Sequence, residues 1–330
     1  MSLVERSVES VERVSAGAHF ENFRVQFEGD EQVYFLKCLY PYFAEDEDVL
    51  SWLFSAAQRY QGCQHPNLCE LLEFGQAALP YLYPPHIEGS FMTGVPEGGT
   101  SVYLLFSHIE HTSLRRLMRD AMFANVWLRP TLIAMLGVQM CEAFLSMFSH
   151  FREKGGLPRG VYAPDVRPRD WLLRPDGMVA WGGFFRLPPW IGREHGGIIM
   201  HSFTYLTPEL IMDTEKDERV FVFIVGELLY EHAIFRNPFM GDSDLRTLEA
   251  ILRKDLPALH TIRRDIPPAF SRILQRALSK QPEHRHRGLA ELQYELLCFL
   301  DVLGESFALA PFRALYEESV KRQAAQSKSS

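Results

Sequence analysis

Apolar and polar positions alternate in the first third of the chain. Residues 14–37 alternate around a tip at residues 28–30, which predicts two strands joined by a turn. Apolar runs at residues 71–75 and 101–107 predict two further strands. Acidic residues near the start of residues 45–64 favour a helix there, because the helix dipole stabilises negative charge at its N-terminus. The pattern predicts a small, strand-rich first part.

Helical spacing dominates the rest of the chain. Apolar residues recur with a helical period in residues 129–152 and fill residues 221–238, which predicts two long buried helices. Shorter amphipathic helices are predicted at residues 245–253, 270–278 and 288–303. Residues 321–330 have few apolar residues at helical spacing, so they are predicted to form a disordered tail.

Residues 161–185 join the two patterns. They read as a loop carrying Asp165, a strand, an Asp-Gly turn, a second strand and the tripeptide Gly183-Phe184-Phe185. This order resembles the catalytic segment of eukaryotic-type Ser/Thr protein kinases. In that family the first loop holds His-Arg-Asp, with an Asn five residues after the Asp, and the second loop begins Asp-Phe-Gly.

The resemblance places Asp165 at the catalytic base position and Asp170 at the position of the Asn. Asp170 is therefore the candidate metal ligand, and Phe184 is a structural position. Gly183 stands where the family has the Asp that holds Mg²⁺ between the β- and γ-phosphates. Loss of that Asp implies a degenerate member of the family, a pseudokinase.

A degenerate nucleotide site is implied by the first part of the chain. Gly17 is the one glycine kept of the family's three, and Ser15 and Phe20 occupy the other two places. Phe20 is expected to crowd or fill the space of a triphosphate. Lys37 resembles the lysine that reaches the α- and β-phosphates, although a solvent-facing lysine at a strand end would look the same.

Two further positions complete that site. Phe106 falls at the gatekeeper position and Ser107 along the adenine edge, although the same run is also typical of a core strand. The glutamate that braces the lysine in the family falls on Ala56, unless a nearby acidic residue substitutes. The tetrapeptide at residues 65–68, His-Pro-Asn-Leu, resembles the one that follows this helix in the family.

Structural motifs of the family are better kept than the chemical ones. Glu209, in Thr-Pro-Glu, resembles the end of the activation segment, and Arg285 matches a late Pro-x-x-Arg motif. The resemblance implies an ion pair between them, against the alternative that both are surface charges. The aspartate that anchors the catalytic loop in the family falls on Phe221.

Composition excludes several classes of protein. The chain has 330 residues, 47% of them hydrophobic, and a formal net charge of −8, which disfavours nucleic-acid binding. The start of the chain is no secretory signal and no window is a convincing membrane span, so a cytoplasmic protein is expected. Five cysteines form no Cys-x-x-Cys pair and are expected to be reduced core thiols.

The predicted architecture is an α+β, two-lobed protein-kinase-like fold. The expected divisions are an N-terminal extension at residues 1–11, a β-rich N-lobe at 12–107, a larger helical C-lobe at 108–303, and a C-terminal extension with its tail at 304–330. This layout follows from the resemblance, which covers residues 12–303.

Three functions fit these observations. The leading interpretation is a signalling scaffold or regulator that binds a protein partner, for example a kinase, without phosphoryl transfer and without a required cofactor. An alternative is an atypical kinase that binds Mg-ATP weakly and uses Lys37, Asp165 and Asp170. A third is a nucleotide-binding switch without turnover. The partner is predicted to be neither nucleic acid nor membrane.

Overall fold

The computed structural model describes residues 3–17, 19–82, 99–157, 166–183, 185 and 203–327. Its first part is a five-stranded antiparallel sheet with the order β1-β2-β3-β5-β4. The elements are β1 (Val8–Ala16), β2 (Phe20–Phe27), β3 (Val33–Leu39), α1 (Pro41–Ala44), α2 (Glu47–Tyr60), β4 (Leu71–Ala77) and β5 (Ser101–Ser107). We call this part, up to residue 107, the N-lobe.

Alternating burial explains the N-lobe sheet. In β2 most side chains facing the core are fully buried and Arg24 on the other face is exposed, as expected for a strand with period two. The turn between β2 and β3 contains Gly29 with φ of +74°, a conformation that glycine adopts without steric cost. Asp46 caps α2, since its side chain accepts from two backbone N–H groups of the first turn.

The predicted N-terminal extension is wrong for the described residues from Leu3 onward. Strand β1 already begins at Val8, so the boundary predicted at residue 12 falls inside it. Val4 is fully buried, and the backbone N–H of Leu3 donates to Glu73 on β4 at 2.9 Å. The sequence pattern missed this strand because β1 is an edge strand whose side chains are mostly exposed.

The C-lobe, from residue 108, combines a small three-stranded sheet with helices. The sheet has the order β6 (Thr112–Ser113), β7 (Trp171–Leu173) and β8 (Val179–Trp181). The helices are α3 (Leu114–Phe123), α4 (Pro130–Glu153), α5 (Pro208–Ile211), α6 (Arg219–Ile234), α7 (Asp244–Arg253), α8 (Leu259–Ile262), α9 (Pro268–Ala277), α10 (Leu289–Val302) and α11 (Ala310–Ser327). The fold is the two-lobed α+β architecture that the sequence predicts.

Helix α4 is the centre of the C-lobe core. Within the part of the chain that the structure describes, it alone is long and apolar enough to cross a bilayer, yet 78% of its most apolar window is buried inside the protein. A β-carbon on Gly137 would lie 2.6 Å from Leu229 of α6 and 2.7 Å from Leu296 of α10. Glycine at this position therefore lets both helices approach α4 closely.

The predicted disordered tail is wrong through residue 327, because helix α11 packs on the C-lobe and the C-terminal extension is part of that lobe. Phe312 and Tyr316 are buried at helical spacing. The side-chain hydroxyls of Ser319 and Thr112 are 3.1 Å apart, Tyr316 donates to Glu110 at 2.8 Å, and Arg322 donates to the backbone oxygen of Asp120 at 2.7 Å. The residues that make these contacts are polar, so the hydrophobic period of the sequence does not reveal them.

The cysteines agree with their expected role. All five are free thiols, and each of them except the half-buried Cys298 is buried. Burial raises the pKa of Cys141 well above its ordinary value and that of Cys63 to about 11, so these thiols stay protonated at neutral pH.

Candidate nucleotide cleft and its structural anchors

A cleft of about 370 Å³ lies between the two lobes. Phe35 on β3 and Phe20 on β2 line it from the N-lobe, and Leu172 on β7 lines it from the C-lobe. Its volume is at the lower end of the range typical of small-molecule sites, about 300–1,000 Å³. Phe20 is buried and its side chain lines the cleft, and the expectation that it crowds or fills the space of a triphosphate stays a prediction.

Gly17 lines the cleft and belongs to the turn that joins β1 to β2. Its backbone N–H donates to the carbonyl of Phe20 at 2.8 Å, and a β-carbon on Gly17 would lie 3.0 Å from that oxygen. Asn22 donates from its side chain to the hydroxyl of Ser15 at 3.1 Å. The two strands are therefore tied together by hydrogen bonds where the family has a glycine-rich turn.

Lys37 connects the two lobes across the cleft. Its Nζ atom donates to the backbone carbonyl of Gly182 at 3.2 Å and lies 5.3 Å from the centre of the Phe106 ring. Ala56 on α2, at the position where the family has the bracing glutamate, is buried in the core. Phe106 and Ser107 both line the cleft at the end of β5, and their roles beside an adenine stay predictions.

Gly183 is closely surrounded on the C-lobe side of the cleft. A β-carbon there would lie 2.6 Å from Nε1 of Trp181, 2.9 Å from Cβ of Asp170 and 3.1 Å from its Cγ. Real β-carbons do not approach heavy atoms this closely, so any side chain at residue 183 would displace its neighbours. Asp170 itself accepts a hydrogen bond from the backbone N–H of Arg167 at 3.2 Å.

Phe185 is a cleft residue whose role sequence reasoning missed. It has a left-handed backbone with φ of +71°, which is unfavourable for an aromatic residue. Its ring is buried and lies 5.4 Å from that of Tyr60 and 6.0 Å from that of Phe106. An aromatic residue where the family has glycine was the signal in the sequence.

Glu209 and Arg285, 76 residues apart, form a buried ion pair. Nη1 of Arg285 lies 2.6 Å from one carboxylate oxygen of Glu209 and Nη2 lies 2.9 Å from the other. The guanidinium also donates to three backbone oxygens, of Ser279, Arg219 and Lys280. This bidentate pair joins α5 to the segment before α10, and both side chains are buried.

Several curated bacterial proteins are similar in sequence. The chain is 30% identical to the serine/threonine-protein kinase PknL of Mycobacterium tuberculosis over 156 residues, 47% of this chain and 38% of PknL. It is 25% identical to the tyrosine-protein kinase MasK of Myxococcus xanthus over 284 residues, 84% of this chain and 40% of MasK. The chain thus spans about two fifths of the length of these relatives. No protein-family model matches it.

A solved structure matches almost the whole chain. The kinase domain of PknI from Mycobacterium tuberculosis aligns with a TM-score of 0.58 at 17% identity, covering 90% of this chain and 98% of that domain. The chain has the protein kinase fold. Its relatives in sequence are bacterial protein kinases, and the resemblance to protein kinases predicted from the motifs is confirmed.

The kinase fold implies a Mg²⁺ ion held by side chains on the C-lobe side of this cleft. Residue 183 supplies no side chain, so Asp170, one of whose oxygens accepts a backbone hydrogen bond, is the one carboxylate of this pair of positions. Among the described residues, no group of three His, Cys, Asp or Glu side chains is placed to hold a metal. The described residues therefore do not fit a Mg²⁺ site of the kinase type. Asp165 and Phe184 lie outside the described residues and remain predictions.

A second cluster of ionisable groups lies where Tyr205 contacts α6. The hydroxyl of Tyr205 donates to both carboxylate oxygens of Glu231 on α6, at 3.2 and 3.0 Å. Burial raises the pKa of Glu231 to about 7. Glu227, one turn earlier, accepts from Asn237 at 2.6 Å, and burial raises its pKa as well. Both carboxyls are therefore more easily protonated than ordinary glutamates.

We expect Glu231 to make the protein less stable as the pH rises through about 7. Its folded-state pKa exceeds the unfolded value, so its favourable contribution is full below about pH 4.5 and is lost as the pH rises through about 7. Chemical denaturation between about pH 5 and pH 8 measures this dependence, and Glu231→Gln is expected to flatten it by up to about 3 kcal/mol.

Glu249→Gln, a change of an exposed glutamate on α7, is the control and should keep the pH dependence of the natural protein. If Glu231→Gln left the slope of stability against pH unchanged, Glu231 would have an ordinary pKa in the folded protein.

Proposed function

We propose that this protein is a pseudokinase that acts as a signalling scaffold or regulator, with phosphoryl transfer lost or severely impaired. The observation that carries the proposal is the close contact of Gly183 with its neighbouring side chains. The metal-binding carboxylate of the fold is missing there, and Trp181 and Asp170 occupy the space in which it would stand.

Phosphoryl transfer depends almost entirely on positioned charge, and the metal ion is the largest part of that charge. Replacing the metal ligand by glycine removes the negative group that would hold the ion. Filling the vacated space with the Trp181 indole makes the loss difficult to reverse locally. These contacts support a protein whose cleft is no longer built for catalysis.

The parts of the molecule that maintain the fold support the same proposal. The buried pair of Glu209 and Arg285 is intact. At residue 221, the expected aspartate is replaced by a phenylalanine whose ring lies 4.6 Å from that of Phe144 and 5.0 Å from that of Phe148. A domain that keeps packing and loses charge is suited to binding a protein, and a kinase or another signalling protein is the proposed partner.

Two specific observations favour other functions. Lys37 and Asp170 line the same cleft, as an atypical kinase would require. The cleft is also open and has apolar walls, as a nucleotide-binding switch without turnover would require. These alternatives predict nucleotide binding, with metal in the first case and without it in the second.

The proposal is tested by incubating the purified protein with γ-labelled ATP and Mg²⁺ or Mn²⁺, together with thermal unfolding under the same conditions. We expect no label on the protein or on a generic substrate, and no metal-dependent stabilisation. A ligand at about 100 times its dissociation constant would stabilise the folded state by about 2.7 kcal/mol, which a thermal shift detects.

An active protein kinase in the same assay is the positive control. Label transfer that is abolished by both Lys37→Met and Asp165→Ala would contradict the proposal and support the atypical kinase. Stabilisation by ATP in the presence of a chelator, without label transfer, would support the nucleotide switch.

A further inference from the structure

We propose that one face of the C-lobe mediates two-fold self-association, with an arginine-rich half of one copy against an acidic half of the other. The arginine-rich half is centred on the connection between α3 and α4. Four large apolar side chains there are between 47% and 77% exposed, namely Met122, Phe123, Val126 and Trp127. Single exposed apolar residues are common on protein surfaces, but a cluster of them marks an interaction surface.

Exposed arginines surround this apolar cluster. Arg119 lies one helical turn before Phe123 on α3, and Arg129 follows Trp127 by two residues. The guanidinium of Arg263, which is buried and paired with Asp265, lies 4.9 Å from the Trp127 ring, and the next residue, Arg264, is exposed. On a chain with a net charge of −8, this local excess of positive charge favours an acidic partner surface.

The acidic half is formed by the start of α7 and the end of α5. Met212, Met240 and Leu245 are between 61% and 75% exposed, so this half also has an apolar centre. Its exposed carboxylates are Asp213, Glu215, Asp242 and Asp244. Its cations are Lys216, which pairs with Asp213 at 2.8 Å, and Arg246, which pairs with Glu249 at 3.0 Å. Helices α5 and α7 pack against each other, which brings these residues to one surface.

The two halves are linked through the end of α6. The Trp127 ring stacks on that of Phe235, with centroids 4.9 Å apart and an interplanar angle of 1°. Phe235 caps the end of α6, and Met240 follows it by five residues, so their Cα atoms are at most about 18 Å apart. The proposed face takes in both halves, with arginines at one end, carboxylates at the other and exposed apolar side chains in each.

A second copy of this chain is the partner that such a face fits. A two-fold axis brings residue i of one copy to residue j of the other and the reverse, so opposite charges at the two ends form two equivalent attractive contacts. Stacking the arginine-rich half on itself would instead place like charges together. A stable interface buries about 800 Å² per partner, so such a dimer would have to use most of both halves.

Sedimentation velocity of the full chain tests this inference across a range of protein concentrations. We expect a concentration-dependent shift from monomer to dimer that is weaker at about 500 mM salt than at about 50 mM salt, because salt screens exposed charges. A single monomeric species at every concentration and at low salt would overturn the proposal.

Charge reversal identifies the face. The arginine variant carries Arg119→Glu and Arg129→Glu, and the acidic variant carries Asp242→Lys and Asp244→Lys. Each variant alone is expected to lose the dimer, with the dissociation constant raised at least about tenfold. An equimolar mixture of the two is expected to form a heterodimer, because each reversed half then meets a half of opposite charge.

A control with the same charge change as the acidic variant, Glu28→Lys with Glu31→Lys at the exposed β2–β3 turn, should dimerise like the natural protein. Circular dichroism and thermal unfolding establish that all variants are folded. Dimers that persist in both reversed variants, or a mixture that stays monomeric, would show that another surface or no surface is responsible.

Discussion

Replacing Phe221 by aspartate is expected to unfold the protein, or to lower the free energy of unfolding by about 5 kcal/mol or more. The change restores the residue that the kinase family has at this position. Here, however, the side chain is fully buried between the rings of Phe144 and Phe148. The substitution removes an aromatic ring and leaves a carboxylate among apolar groups.

Urea denaturation followed by circular dichroism measures the effect. Phe221→Leu is the matched control, since it keeps an apolar side chain and is expected to cost less than about 1.5 kcal/mol. An aspartate variant with a midpoint close to that of the natural protein would mean that the carboxylate finds a polar partner in the C-lobe core. The aromatic packing would then be incidental.

Removing one member of the buried ion pair is expected to have the second large effect. Arg285→Ala leaves the Glu209 carboxylate buried without its cation and also frees three backbone oxygens, at a cost of about 3–5 kcal/mol. Glu209→Ala is expected to cost a similar amount, because it leaves the Arg285 guanidinium buried without its carboxylate. Equilibrium unfolding of both variants gives these values.

The double variant Glu209→Leu with Arg285→Met distinguishes the loss of the ion pair from the cost of leaving one charge buried alone. It removes both charges while keeping apolar volume, so it is expected to be less destabilised than Arg285→Ala. A double variant that loses as much stability as the two single alanine variants added together would show that the two charges act independently. The ion pair would then not be a unit of the fold.

Much of the fold could be predicted because its motifs stand at fixed separations along the chain. Glu209 and Arg285 each belong to a short motif, and their pairing fixes how distant parts of the C-lobe meet. Strand β5 and helices α4, α6 and α7 follow directly from the apolar pattern. Strand β1 and helix α11 could not be predicted in this way. One is an exposed edge strand, and the other is held in part by hydrogen bonds of Ser319 and Arg322.

The sequence predicts which residues lie at the cleft better than it predicts how those residues pack. The motif alone predicts that Gly183 stands where the family has its metal-binding aspartate. Its contacts with Trp181 and Asp170 depend on how β8 returns beside β7, which sequence spacing does not specify. Phe35 and Phe185 were missed as cleft residues for a similar reason, because an apolar residue in a strand or loop gives no sign of which cavity it faces.

Helix α11 determines which residues in the connection between the two lobes are left free to rotate. Its hydrogen bonds from Tyr316 and Ser319 hold Glu110 and Thr112 to the C-lobe, so the chain is fixed from Glu110 onward. On the other side, Ser107 pairs with β3 and donates its N–H to the carbonyl of Glu70, which fixes it to the N-lobe. The pivot along this connection is therefore two residues long, His108 and Ile109. We expect the backbone torsions of these two residues to take up a rotation of one lobe relative to the other along this connection.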